Sequence, residues 1–174
     1  RLAPMPRVAV LHPGEMGSAV GATLVESATE VVWLPEGRGA ATRRRADAAG
    51  LVEADDLHDC DVVLSVCPPG AAVEVARLVS GFHGVYVDAN AVSPGTAEVV
   101  AATVEAGGGT YVDGGIIGPP PCEPGTTRLY LSGDRAGEVA RLFLDARLEP
   151  VVVEGGRFAA SATKMAYAAW TKVS

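Results

Sequence analysis

Between a short apolar run at 8–11 and an Ala-rich stretch lies His12-Pro13-Gly14-Glu15-Met16-Gly17, a GxGxxG loop with His at the first glycine position. The chemistry that such a loop offers is anion binding. A glycine at 14 lets the backbone approach a pyrophosphate, and one at 17 lets the helix pack closely on the preceding strand. The first helical turn then presents N–H groups without intrahelical acceptors, with the helix dipole behind them. Gly14, Glu15, Met16 and Gly17 are therefore candidate cofactor contacts, and Gly21 extends the close packing along the same helix face. A glycine pattern alone also makes ordinary turns; its place after a first strand and before a helix gives it weight. His12 puts a Cβ where the tight turn is normally made without one.

A second chemistry-bearing segment, Leu34-Pro35-Glu36-Gly37-Arg38, follows the next apolar run. In dinucleotide sites the second strand ends near an acid that holds the adenosine ribose hydroxyls, or near an arginine that accommodates a 2′-phosphate. Glu36 is the candidate for the first role. Arg38 with Arg43 is the candidate for the second, since a guanidinium makes paired, charge-assisted bonds to phosphate. Arg38, Arg43, Arg44 and Arg45 fall within eight positions that hold no acid, in a chain of net charge −7. This favours NADP over NAD, while Arg44 and Arg45 also suit a solvated helix face.

Other reactive side chains carry less. His58 and His83 read as surface residues, and Cys67 has no base motif beside it and reads as an inert loop thiol. Asp88 and Asp113 read as strand ends on the carboxyl edge of a sheet, where ligands bind in such folds; helix capping or loop bonding is their expected work. Cys60, Cys67 and Cys122 are odd in number and lack CxxC spacing, which speaks against a zinc ribbon and a disulfide framework and for reduced thiols in the cytoplasm. No metal cluster is expected. The acidic balance argues against a nucleic-acid surface. No apolar run approaches the roughly 20 residues of a membrane span, and the start of the chain lacks a basic-then-apolar secretory pattern. Residues 1–4 read as an extension ahead of the first strand.

The elements that position these groups alternate. Strands are expected at 8–11, 30–34, 61–66 and 84–88, and helices at about 16–28, 40–49 and 69–79, with Gly50 as a C-terminal cap and Pro69 in a first turn. Ser93 is expected to cap a helix at 94–106 that opens on Pro94. Past a Gly/Pro-rich stretch at 114–125 come a strand at 127–131, a helix at about 135–145, a strand at 150–153 and a last helix from about 158, still running at Ser174. Strands apolar throughout, alternating with helices, predict an α/β fold: a doubly wound, mostly parallel sheet covered on both faces. With 48% hydrophobic and 20% charged residues the chain has the composition of a folded domain.

The series GEMG (14–17), SVCPPGAA (65–72), VDANAVSP (87–94), DGGIIGPPP (113–121) and KMAYAAWTK (164–172) resembles the β-hydroxyacid dehydrogenase and 6-phosphogluconate dehydrogenase superfamily, over about 8–172. It looks closest to the branch with a distinct C-terminal helical domain. The resemblance implies an NAD(P)-binding Rossmann domain at 5–155, with 156–174 starting an interdomain helix that leads to a helical domain outside this chain. It also implies an oxidoreductase that transfers a hydride between a nicotinamide and a small β-hydroxy acid or related carbonyl compound, commonly as a homodimer. By the same resemblance, Val66, Cys67, Pro68 and Pro69 form the loop beside the ribose and nicotinamide, followed by Asn90 with Ala91 and Val92. Ile117, Gly118 and Pro119 fall where the family has a Ser-Gly-Gly substrate loop; the Ser is absent. Lys164 falls on the catalytic lysine, and the Asn that usually follows it is replaced by Tyr167 or Ala168. Tyr167, one turn after Lys164, shares its helix face and can donate to substrate. An imine reductase of the same fold, or a non-catalytic nucleotide-binding or regulatory protein, are the alternatives.

Overall fold

The computed structural model describes residue 2 and residues 5–27 and 29–173; Arg1, Ala3, Pro4, Ala28 and Ser174 lie outside the described residues, and with them most of the expected 1–4 extension and the expected helix ends at 28 and 174. Its elements are β1 (Val8–Leu11), α1 (Glu15–Glu26), β2 (Val31–Trp33), α2 (Ala40–Ala48), β3 (Val52–Glu53), β4 (Val62–Ser65), a 3-10 turn (Pro69–Ala71), α3 (Ala72–Leu78), β5 (Val85–Asp88), α4 (Pro94–Ala106), β6 (Thr110–Ile117), β7 (Arg128–Ser132), α5 (Ala136–Ala140), a second 3-10 turn (Arg141–Phe143), β8 (Glu149–Val152) and α6 (Ala159–Val173).

The strands form one eight-stranded sheet in the order β3-β2-β1-β4-β5-β6-β7-β8. All neighbours are parallel except β6 and β7. The chain winds outward from β1 towards β3, then crosses back to β4 and winds the other way. The order therefore reverses between β1 and β4, and the crevice at their carboxyl ends is where doubly wound sheets bind ligands. The central strands VAVL and VVLS are buried at every position. Their two faces feed two separate cores: Val8, Val10 and Leu64 pack with α1 and α5, while Ala9, Leu11 and Val63 pack with α3 and α4. Among the described residues, no helix is long and apolar enough to cross a membrane.

Four elements depart from the sequence expectation. The stretch 114–117, expected as loop, is the second half of β6, so Asp113 lies inside a strand and not at its end. β3, two residues long and exposed, was not expected. The helix expected from Pro69 opens as a 3-10 turn, and the helix expected at 135–145 closes as one. Ser93 caps α4 as its position suggested, accepting the Thr96 N–H at 3.2 Å, and Gly50 follows α2 at φ 75°.

Candidate functional site

Strand register sets the stage. Leu11, Ser65, Asp88 and Asp113 are consecutive partners across β1, β4, β5 and β6. The loops that follow Leu11, Ser65 and Asp88 therefore leave one edge of the sheet together, and β6 runs on past Asp113 to Ile117.

At the switch point is a cleft of about 370 Å³. It is lined from one side by Gly14, Glu15, Met16 and Gly17, and from the other by Val66, Cys67 and Pro68, with Arg38 and Thr42 reaching in from α2 and its approach. Gly14 is the extended N-cap of α1 and no side chain caps that helix end. Ser18 N–H bonds back to Gly14 O at 3.0 Å, which leaves the N–H groups of residues 15–17 without intrahelical acceptors. A Cβ at Gly17 would stand 2.6 Å from His12 O, so only glycine admits this close crossing of helix and strand. At Gly14 the nearest neighbour of a Cβ would be 3.9 Å away, which leaves the backbone open to a ligand. An uncapped helix start, a bare backbone and a guanidinium at the rim fit the phosphates of a dinucleotide.

The remaining expected cofactor residues separate. Glu36 is exposed and does not line this cleft. Arg43 is engaged elsewhere: it pairs with Glu53 of β3 and lies over the Trp33 ring, 5.9 Å from its centroid. Pro69 starts the 3-10 turn just past the lining. Asn90 is buried and braces the loops instead of facing the cleft. Its Oδ1 accepts Cys67 N–H at 2.6 Å, its Nδ2 donates to Ser65 Oγ at 3.0 Å, and its own N–H donates to Asp88 Oδ1 at 3.1 Å. Burial pushes the Cys67 thiol up against the lowering effect of Ser65, the wrong direction for a nucleophile. A larger cavity, about 650 Å³, lies by 55–61 and 78–84 and holds none of the expected residues. It touches Asp61 and Gly84, ahead of β4 and β5, away from the edge where the helix start and the switch point meet.

His12, expected near the phosphates as a structural residue, lines the cleft as well. Among the described residues it alone combines a side chain with positive φ (62°). Its Nδ1 is buried without a hydrogen-bond partner. Burial, then the charge of Arg38, holds its pKa below the ordinary value.

The third part of the edge is built by β6 and α6. Tyr111, Asp113 and Gly115 alternate onto one face of β6 and receive α6 and the two residues ahead of it. The Tyr111 ring packs at 6.0 Å on Phe158, ahead of α6, and the Arg157 guanidinium lies 5.5 Å from its centroid. Asp113 Oδ2 accepts Ser161 N–H at 2.7 Å and Ser132 Oγ at 3.2 Å; Oδ1 accepts Ser161 Oγ, and Tyr111 OH at 3.2 Å. Ser132 Oγ in turn accepts Ala160 N–H at 3.0 Å. The first turn of α6 is thus capped by side chains of β6 and β7, and a carboxylate meets the positive end of its dipole. At Gly115 a Cβ would come 3.1 Å from Lys164 Cβ and 3.2 Å from Ala160 O; the missing side chain is the bed of the helix. Burial raises the pKa of Asp113, opposed by these hydrogen bonds.

So held, Lys164 donates from Nζ to Ile116 O, beside the end of β6, and burial lowers its pKa. Tyr167, one turn on, is 51% exposed. Ile117 ends β6 half-buried, and Gly118 (φ 127°) and Pro119 are exposed on the loop that follows. A Cβ at Gly118 would stand 2.5 Å from Thr126 O, so the turn requires glycine. Lys164 and Ile117 belong to the same sheet edge as the cleft but are not among its lining residues. No group of side chains among the described residues could hold a metal ion.

No protein-family model matches the chain, and no curated protein is significantly similar to it. Solved structures are. A conserved protein of unknown function, described as structurally similar to 3-hydroxyacid dehydrogenases, is 32% identical with a TM-score of 0.86, over 95% of this chain and 64% of its own. The 3-hydroxyisobutyrate dehydrogenase of Mycobacterium tuberculosis is 21% identical with a TM-score of 0.77, over 94% and 59%. A reductive aminase from Aspergillus terreus in complex with NADPH and ethyl levulinate is 18% identical with a TM-score of 0.78, over 97% and 61%. The chain thus spans about three fifths of the length of each of these structures. Hydroxyacid dehydrogenases and imine-reducing enzymes are its structural neighbours, and its fold is the Rossmann-type α/β fold of their nucleotide-binding domain.

Proposed function

We propose that this chain is the cofactor half of an NAD(P)-dependent oxidoreductase, with NADP as the cofactor and a small β-hydroxy acid or related carbonyl compound as substrate. The observation that carries this reading is the switch-point cleft, where the uncapped start of α1 and the Arg38 guanidinium meet. Arg38 on the cleft and Glu36 off it favour a 2′-phosphate over bare ribose hydroxyls. When bound, the nicotinamide supplies the hydride chemistry. The chain supplies the rest. Residues 14–17 and Arg38 hold the phosphates, while residues 66–68, braced by Asn90, form the opposite wall. Lys164 moves the proton: oxidation of an alcohol needs a base for the hydroxyl hydrogen, and a lysine whose pKa is lowered by burial is partly neutral nearer the working pH. Reduction of C=N needs no base of that strength, so the half-buried Lys164 favours the hydroxy acid over an imine. Tyr167 and the loop Ile117-Gly118-Pro119 are assigned to the substrate side.

In this reading α6 leads into a C-terminal helical domain that completes the cleft and supports a homodimer; the exposed aromatics Tyr167 and Trp170 (75% exposed) on α6 fit such cover. Three unpaired thiols fit a cytoplasmic protein. The test is titration of the full-length protein with NADPH and NADH, followed by a nicotinamide assay over hydroxy acids and over amine–ketone pairs. Turnover of a hydroxy acid, lost in Lys164→Ala with NADPH binding kept, supports the reading. Turnover of imines alone makes the protein an imine reductase, and binding without turnover makes it a regulatory nucleotide-binding protein.

A further inference from the structure

The GxGxxG turn needs only backbone at position 12, yet position 12 carries an imidazole. Its conformation is left-handed, which costs an L residue energy and a glycine none. That conformation is fixed without the side chain's help: Gly14 N–H donates to His12 O at 2.7 Å, and Gly17 packs against the same oxygen. A strained backbone that the surroundings over-determine is a pointer to function. His12 lines the nucleotide cleft, and its Nδ1 is buried with nothing to bond. An unpaired buried polar atom is costly.

We propose that His12 is a phosphate ligand of the nucleotide site, which picks up a proton from solvent as the dinucleotide binds and so makes cofactor affinity fall as pH rises. The inference rests on the nucleotide-binding reading above. The charged and titratable groups that share the cleft with the ring are Glu15 on α1, Arg38 ahead of α2 and Cys67 after β4. Burial disfavours the imidazolium, and the charge of Arg38 adds to that effect. A bound phosphate screens Arg38 and attracts the proton, so the ring's pKa rises on binding. The sign follows: the complex holds more protons than the free protein, and affinity weakens with pH across the window between the two values, by up to about tenfold per unit for one linked proton.

The experiment is NADPH titration of the full-length wild type, His12→Gly and His12→Asn from pH 5.5 to 8.5, with thermal unfolding of each unliganded protein. Comparing each variant with the wild type at the same pH cancels the titration of the nucleotide's own 2′-phosphate. We expect Kd in His12→Asn to exceed the wild-type value about tenfold at pH 6, with the ratio falling towards one by pH 8.5. Calorimetry in two buffers of different ionisation enthalpy is expected to show more proton uptake near pH 7 by wild type than by the variant, the difference cancelling the nucleotide's own titration. The unfolding midpoint of His12→Gly is expected to equal or exceed the wild-type value, because the strain is relieved. A pH-independent ratio, or one near unity at every pH while NADPH binds, overturns the proposal. A lowered midpoint with unchanged affinity shows that the ring only packs the turn, and also overturns it. If wild type binds neither NADPH nor NADH, the cofactor reading itself fails.

Discussion

Asp88 places a full carboxyl group in the sheet's interior at the end of β5, with no solvent exposure. Its partners are modest: the Asn90 N–H at 3.1 Å and, at 3.5 Å, a Tyr111 hydroxyl whose single proton is also claimed by Asp113 at 3.2 Å. Desolvation therefore outweighs the Asn90 bond, and the carboxyl is pushed up to about 6. The folded state holds this proton more tightly than the unfolded state, whose value is near 3.8. Stability from this group is intact below the unfolded value and is lost as pH rises through the window from about 4 to about 6. A difference of about two units corresponds to roughly 3 kcal/mol. Asp88→Asn keeps an oxygen for the Asn90 N–H and cannot ionise. Its stability relative to wild type should therefore climb by about 3 kcal/mol between pH 4 and pH 7, or about 6–12 °C in midpoint for a chain of this size. Denaturant melts of both proteins at half-unit pH steps measure the difference, with the acids that do not couple to Asp88 cancelling. A difference that is flat from pH 4 to 7, or that falls, would refute the claim that Asp88 ionises against its surroundings.

Asp113→Ala should destabilise the fold by about 1–3 kcal/mol, the cost of leaving a buried donor unsatisfied. It strands the Ser161 N–H and frees the start of α6, so amide exchange at 160–164 should rise more than in β1. Gly115→Val should push α6 off β6, because a single Cβ already meets Lys164 Cβ at 3.1 Å. A loss of about 1–3 kcal/mol by chemical denaturation is expected, together with loss of the Lys164–Ile116 contact in a crystal structure. Lys164→Ala in the full-length protein should lower kcat on a hydroxy acid by about 10²–10⁴ with NADPH affinity unchanged. The wild-type rate should rise with pH through the lysine's lowered value. Arg38→Ala should weaken NADPH by roughly tenfold to a hundredfold, the cost of about 1.5–3 kcal/mol for bonds to a charged group, and leave NADH nearly unaffected. Arg43→Ala should show a smaller effect on either nucleotide, since its guanidinium already serves Glu53 and Trp33.

What could be read in the sequence follows from where the physics is local. Strands 8–11, 62–65 and 85–88 are legible because a parallel sheet covered on both faces needs runs that are apolar throughout. The helix at 94–106 is legible because Ser93 and Pro94 satisfy its first turn. The switch-point cleft was equally open to reading, since the loops after β1 and β4 must meet once the order of strands is known. Arg38 and Arg43 could not be told apart, because what separates them is Glu53, on a two-residue exposed strand that has no periodicity to announce it.

β6 shows the opposite case. Its Asp113-Gly114-Gly115 core looks like a loop by composition, yet glycine inside a strand marks a close approach of another backbone. Here that backbone is α6, with Ala160 O 3.2 Å from the position a Cβ would take. The period-two triplet Tyr111, Asp113 and Gly115 becomes intelligible only with the helix in place. The ring receives Phe158 and Arg157, the carboxylate caps the first turn, and the glycine admits Ala160 and Lys164. The ammonium's position at the sheet edge is therefore set forty-nine residues earlier, by a side chain that is not there.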